Sequence, residues 1–430
     1  VAKQQVGLVG AVAIGLASML GAGVFVVFHN AYAISPTGYF WALALAAVVA
    51  TFNAWSVYSL ARQVDKPGGV YTYARVYLND TWSFSAGFAF VFGKIGSIAA
   101  IALAFNYYAA DGLKFWPAAL AIAGVAAINI LGIQRTAGVA VALSAITSLY
   151  MLVFVATGLV APAPMLVLPS PNATPQLLDI LSAAAIFFFA FAGYARVATL
   201  GNEVRDARRI IPRAIMIALG FVAVIYFALA FVFIKFLGLD LFTDATPFKT
   251  VFAVILPGIP VWLTTGVAVL AALGSVLALL AGVSRTAATM GDDSELPAFF
   301  TRRNSHGSPW VSEVLIAAGA IALVAVGDLT WVIGFSSFSV LFYYSIGHLS
   351  VLSQGADERV APRWVAAVGF VLCWALAFTV PGPAVPVSLS IIAVALLARR
   401  VVKGRGAAGG GRVGAGGDGR VGASGRDAGN

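Results

Sequence analysis

This chain is short of charge. Of its 430 residues only 10% are Asp, Glu, Lys or Arg, while 61% are hydrophobic. Soluble domains carry about 25% charged residues, so most of the chain is expected to lie in lipid, in keeping with a mean hydropathy of +0.94. From Gln4 to Ala61 there is no charged residue at all. A hydrocarbon core about 30 Å thick needs about 20 apolar residues per helix, so this stretch should hold two crossings that meet near Ser35 and Pro36. It is too long for a secretory signal peptide, and no cleavage pattern follows it. Cysteine is almost missing: Cys373 alone excludes a disulfide framework. The three histidines, His29, His306 and His348, have no metal-ligand spacing, so neither a metal nor another cofactor is expected. No phosphate-binding P-loop pattern occurs, which argues against ATP as the source of work. The net charge of +9 does not imply nucleic acid, because in a membrane chain the place of each charge matters more than the sum.

Apolar runs separated by turn or charge clusters predict about twelve crossings, near 7–33, 37–61, 83–109, 116–132, 137–160, 177–201, 212–236, 260–288, 309–326, 330–352, 363–380 and 385–401. Pro36, Pro117, Pro162, Pro212 and Pro309 are expected in connections rather than helix interiors, because proline has no N–H to donate. With the N-terminus in the cytoplasm, this division puts 22 of the 26 Lys and Arg residues inside and only Lys114, Lys235 and Lys249 outside, with Lys94 within a span. Such a bias follows the positive-inside rule and predicts a multi-pass protein of the cell membrane with both termini cytoplasmic. Residues 1–403 read as one transmembrane domain: a first unit at 7–160, a second of equal span number at 177–352, and two accessory helices at 363–401. Residues 404–430 are mostly Gly and Arg, cannot bury a core, and read as a disordered cytoplasmic tail.

Two of the runs are interrupted by glycine, at matching places in the two units. One reads Gly15-Leu16-Ala17-Ser18-Met19-Leu20-Gly21-Ala22-Gly23-Val24-Phe25, the other Phe187-Phe188-Phe189-Ala190-Phe191-Ala192-Gly193-Tyr194-Ala195. Bare backbone at membrane depth is tolerated only where protein buries it or it lines a wet cavity. A pair of Gly-interrupted spans in corresponding halves points to the binding site of a secondary transporter. Small residues at 21–23 let the chain unwind against a ligand. A half-helix starting near Ala22 offers free N–H groups to a carboxylate, and one ending near Ala17–Met19 offers carbonyls to an ammonium or cation. Together these suit a zwitterion such as an α-amino acid, although small residues also serve simple helix packing.

Four motifs give the chain a family resemblance from residue 5 to about 400. They are Ser18-x-x-Gly21-x-Gly23-Val24-Phe25; Pro67-Gly68-Gly69-Val70-Tyr71-Thr72-Tyr73; Phe191-Ala192-Gly193-Tyr194 running through Asn202-Glu203-Val204-Arg205-Asp206 to Ile211-Pro212-Arg213-Ala214; and Ser284-Arg285 with Asp293 and Leu296-Pro297. In these the chain resembles the amino acid–polyamine–organocation superfamily of transporters. The resemblance implies an all-α fold with a five-plus-five inverted repeat, broken first and sixth helices, and a central amino acid site. By that likeness the substrate carboxylate meets the N–H groups of Gly21, Ala22 and Gly23, and its ammonium meets the carbonyls of Met19, Phe189 and Ala192. Phe189 and Tyr194 then lie nearest the substrate side chain or act as a gate, Ser18 and Gly193 belong to the two broken segments, and Glu203 and Arg205 make cytoplasmic gating contacts. The chain departs from many relatives in having Ala195 where they carry an acid, Asn202 before Glu203, and Asp292 in place of Arg. The first departure argues against a cationic substrate.

Lys94 lies a dozen residues into the third crossing, about 18 Å along a helix rising 1.5 Å per residue. A charge at that depth is costly and marks a functional position. It could carry the coupling proton, or serve as a fixed charge where some relatives bind sodium. Segment Gly69–Leu78, with Tyr71, Tyr73 and Tyr77, reads as a short interfacial helix, and of Phe187, Phe188, Phe189 and Phe191 two are expected to touch substrate. The expected activity is secondary, proton-coupled import of neutral or apolar amino acids by alternating access, not catalysis. An amino acid exchanger of the same fold and, from another class, a channel are the alternatives; an intramembrane enzyme is disfavoured because His29 and His348 have no evident partners. Its partners are an amino acid, a proton and the lipid bilayer, with no nucleic acid.

Overall fold

A computed structural model describes residues 6–21, 23–64, 68–110, 113–131, 136–164, 174–198 and 204–410, and these are helical with no paired strands. In order the helices are α1 (Leu8–Met19), α2 (Val24–Ile34), α3 (Tyr39–Gln63), α4 (Val70–Tyr77), α5 (Asp80–Ala109), α6 (Trp116–Ile130), α7 (Thr136–Val160), α8 (Leu177–Phe191), α9 (Ala195–Ala198), α10 (Ala207–Leu237), α11 (Pro247–Ile255), α12 (Trp262–Asp292), α13 (Trp310–Val326), α14 (Leu329–Leu352), α15 (Arg363–Phe378) and α16 (Ala384–Gly410). Seven helices are long and apolar enough to cross a bilayer, α1 and α2 form one bent pair, and four shorter apolar helices complete the set. The molecule is therefore a polytopic helical membrane protein, as its hydropathy requires.

The centre of the bundle is α14 with α5. In their most apolar windows 89% of α14 and 78% of α5 are buried, against 17% of α16. Small residues explain the close approach: Gly93 and Gly96 on α5 lie against Ser339, Phe335 and Ser336 of α14, and Ser97 Oγ meets Ser336 Oγ at 2.7 Å. Lipid offers helices no hydrophobic driving force, so small residues that admit tight packing and interhelical hydrogen bonds take its place. Outer faces such as Leu120 and Ile128 on α6, or Val394 and Leu397 on α16, stay exposed as apolar surface.

Four details depart from or extend the sequence expectations. Helix α4 forms where an interfacial helix was expected, and α11 is added: Phe248, Val251, Phe252 and Ile255 recur at helical spacing and are buried, with Pro247 in the first turn. Pro212 corrects the reading of prolines as connectors, because it lies inside α10. Only five residues precede it there, so it forfeits one intrahelical bond near an end whose first N–H groups have no partner anyway. Helix α16 runs to Gly410, seven residues past the boundary at 403; residues 411–430 lie outside the described residues. Finally, Val6 bridges Val204 in parallel, and the Arg205 N–H donates to the Val6 carbonyl at 3.0 Å.

Candidate functional site

The first break is a bend of 45° between α1 and α2. The Leu20 N–H still reaches the Leu16 carbonyl at 2.7 Å, and Val24 N–H reaches Gly21 O at 3.2 Å, but the Gly21 N–H has no backbone acceptor among the described residues. Ala22 lies outside them. The second break opens less: α8 ends at Phe191, tightens into a 3₁₀ turn over Ala192–Tyr194, and resumes as α9.

The two breaks touch. A Cβ on Gly193 would overlap the Ser18 carbonyl, its oxygen included, and the Met19 nitrogen, so only glycine lets these main chains meet. Ser18 itself turns back and donates to the Ile14 carbonyl at 2.8 Å. Tyr226 of α10, which sequence reasoning missed, donates its hydroxyl to the Met19 carbonyl at 2.6 Å and lies 3.3 Å from the Ala190 carbonyl, so one phenol spans both crossings. A lone hydroxyl within an otherwise apolar run was the signal that could have found it. Lys94 reaches the same point from α5: its Nζ donates to the Ala192 carbonyl at 3.4 Å, and the residue is only 4% exposed. Phe189 lies over Gly23, with Cε1 at 3.1 Å from where a Cβ would stand, and Ser275 of α12 sets its Oγ against Gly21. That hydroxyl is buried with no hydrogen-bond partner among the described residues. Of the other aromatics, Phe187 packs on Phe28 and Tyr39, Phe191 on Tyr226, and Phe188 on Tyr344. Tyr194 packs on Tyr344 at 5.3 Å between ring centres. Beyond Gly23, Phe25 is enclosed by Tyr108 and Phe248 at 5.4 and 4.7 Å, while the Tyr108 hydroxyl donates to the Phe25 carbonyl at 3.1 Å.

The histidines do have partners, which corrects the expectation that they lack them. His29 Nδ1 lies 3.0 Å from the Leu241 carbonyl. His348 is fully buried, with Nδ1 2.8 Å from Ser56 Oγ and Nε2 2.7 Å from Asn53 Oδ1. Cys373 Sγ donates to that same Asn53 oxygen at 3.2 Å. An amide oxygen can only accept, so Nε2 carries the hydrogen and Nδ1 accepts from Ser56. This is an interior polar knot joining α3, α14 and α15, and no group of three or more His, Cys, Asp or Glu that could hold a metal occurs among the described residues.

Charge gathers beyond the end of α12. The Glu295 carboxylate takes two bonds from Arg399, at 2.6 and 3.0 Å, and one from Lys403 at 2.7 Å. Asp293 pairs with Arg75 at 2.7 Å and accepts from the Tyr71 hydroxyl at 2.6 Å. Burial alone would raise the Glu295 carboxyl, but the bonds from Arg399 and Lys403 outweigh it and hold the group below its ordinary value. Burial, helped by the bond to Asp293, pushes the Tyr71 phenol up. Of the gating residues implied by resemblance, Arg205 is exposed and donates its backbone N–H to Val6, and Glu203 lies outside the described residues.

Residues 6–398 match the model of a family described as amino acid permease. An uncharacterized transporter of Mycobacterium tuberculosis is 39% identical over 416 residues, covering 94% of this chain and 93% of that protein. The low-affinity putrescine importer of Escherichia coli is 27% identical over 375 residues, 82% of this chain and 81% of the importer. The branched-chain amino acid permease of Bacillus subtilis is 21% identical over 396 residues, 83% and 82% of the two chains.

Proposed function

We propose that this chain, which belongs to the amino acid permease family, is a secondary transporter that carries neutral or apolar amino acids together with a proton. The observation that carries the reading is the meeting of Gly193 with Ser18 and Met19, with the Lys94 ammonium beside it. Main-chain donors and acceptors from two broken crossings converge there on one short stretch, which suits the head of a dipolar solute. Gly21, Ala22 and Gly23 face the carboxylate, Phe189 and Tyr194 the side chain, and Lys94 takes up and releases the coupling proton. The two units act as an inverted repeat around this point, and rocking of one group of helices exposes it to either side of the cell membrane in turn, with both termini in the cytoplasm. A buried lysine repels a second cation, so a polyamine like that named for the Escherichia coli relative fits poorly, whereas the apolar cargo named for the Bacillus relative fits well.

Purified protein in liposomes, offered labelled neutral amino acids with and without an inwardly directed proton gradient, tests this. Saturable uptake that the gradient drives above equilibrium is expected, and Lys94→Met should lose that accumulation. Uptake that needs a second amino acid inside and ignores the gradient would instead make the protein an exchanger, and single-channel current would make it a channel.

A further inference from the structure

Lys94 is a buried amine with no anionic partner among the described residues. None of the ion pairs among the described residues includes it. Its one hydrogen bond among the described residues, to Ala192, is 3.4 Å long, whereas charge-assisted bonds run to about 2.8 Å and an ammonium has three hydrogens to place. The carboxylates on elements packed against α5 are engaged elsewhere. Asp292 at the end of α12, and Asp293 and Glu295 just beyond it, pair with Arg303, Arg75 and Arg399. Glu313 on α13 accepts from Ser308, and Asp328 caps α14. Of the other titratable or charged groups against α5, Tyr343, Tyr71, Arg75 and Arg399 lie at its Asp80–Phe90 end and Lys249 lies at Tyr108, toward the opposite end. Of the acceptors that would receive a substrate's ammonium, Met19 O already takes a bond from Tyr226 and Ala192 O one from Lys94, so each has a single lone pair left to offer. Donor capacity at the breaks is less engaged, in the Gly21 N–H and the Ser275 hydroxyl, which have no partner among the described residues, and in the Lys94 amine with its single long bond.

We propose that Lys94 is the counter-ion of the substrate's carboxylate, so that this site selects carboxylates and treats the substrate's amine as the lesser determinant. The proposal rests on the transport reading above and deepens it. An opposite charge arriving beside a buried lysine favours its ammonium form, so carboxylate and proton bind as a pair. One proton passes from water to Lys94 Nζ as each carboxylate enters, and it leaves with that carboxylate. Coupling then needs no separate ion site.

The test is calorimetry on the full chain in detergent micelles, in two buffers of different ionisation enthalpy. The ligands are L-alanine, L-leucine and L-phenylalanine, each beside its deaminated acid (propionate, isocaproate, hydrocinnamate) and its amide. Losing one partner of a buried charge pair costs at least about thirtyfold in affinity, so the amides should weaken by that much or more and the deaminated acids by less than about tenfold. Binding should take up one proton per carboxylate in the wild type and none in Lys94→Met, which should also lose the preference for acids over amides. Lys94→Arg should keep the preference without the proton uptake. Amides that bind as tightly as the acids, or acids that bind with no proton uptake, would overturn the proposal while leaving a transporter of amino acids intact. Binding of none of the nine compounds would overturn the transport reading itself.

Discussion

Adding one methyl group at Gly193 is the sharpest perturbation the fold offers. A Cβ there would stand 2.5 Å from the Ser18 carbonyl carbon and 2.6 Å from the Met19 nitrogen. Ordinary carbon contacts lie at about 3.5–4.0 Å, so the two main chains must separate by about 1 Å. Overpacking costs about 1–3 kcal/mol where side chains can yield; here the neighbours are backbone, and the upper end applies. At 1.4 kcal/mol per decade, about 3 kcal/mol is a loss of roughly a hundredfold. Gly193→Ala should therefore weaken substrate binding by about that factor and lower the melting temperature in detergent. Two controls bracket the result. At Gly23 the nearest atom is a Phe189 ring carbon at 3.1 Å, which can swing aside, and at Gly220 in α10 nothing lies within 4 Å. Gly23→Ala should cost less than a tenth as much affinity, and Gly220→Ala should stabilise its helix by up to about 1 kcal/mol. Wild-type affinity and melting temperature in Gly193→Ala would refute the contact between the two crossings as the site's foundation.

Other outcomes are as definite. Gly23→Leu should abolish substrate binding by filling the space under Phe189, read by the same calorimetry. Glu295 is held below the ordinary carboxylate range, so its stabilising effect is complete above that range and disappears as pH falls through the lower folded value. The melting temperature of Glu295→Gln should therefore lie below wild type at pH 7, and the gap should close only under strongly acidic conditions. His348→Leu should cost about 1–3 kcal/mol by stranding the buried Asn53 and Ser56 groups. The same variant should speed maleimide labelling of Cys373, the chain's single thiol.

What could be read from sequence was whatever is local. Glycine interruptions at 21–23 and 193, the charge-free stretch to Ala61 and the tyrosine spacing of 71–77 all declare themselves within a dozen residues, and each corresponds to an observed bend, span or helix. Lys94 was conspicuous because a midspan charge breaks an apolar run. Its partner was not, since Ala192 is 98 positions away. Tyr226, the His348 knot and the Glu295 cluster were missed for the same reason: each joins groups roughly 100 to 300 residues apart, and no periodicity in either partner names the other. Pro212 misled because a missing donor is a penalty whose size depends on how near the helix end it falls.

The bridge between Val6 and Val204 adds a second fastening to the pair of broken crossings, which already clasp one another at Gly193. In the rocking proposed above, a pair held at two separate heights is expected to move as one plank. Spin probes planted one on α1 and one on α8 should keep a constant spacing through the turnover cycle, and the distances that lengthen and shorten will be those measured from either helix to α14.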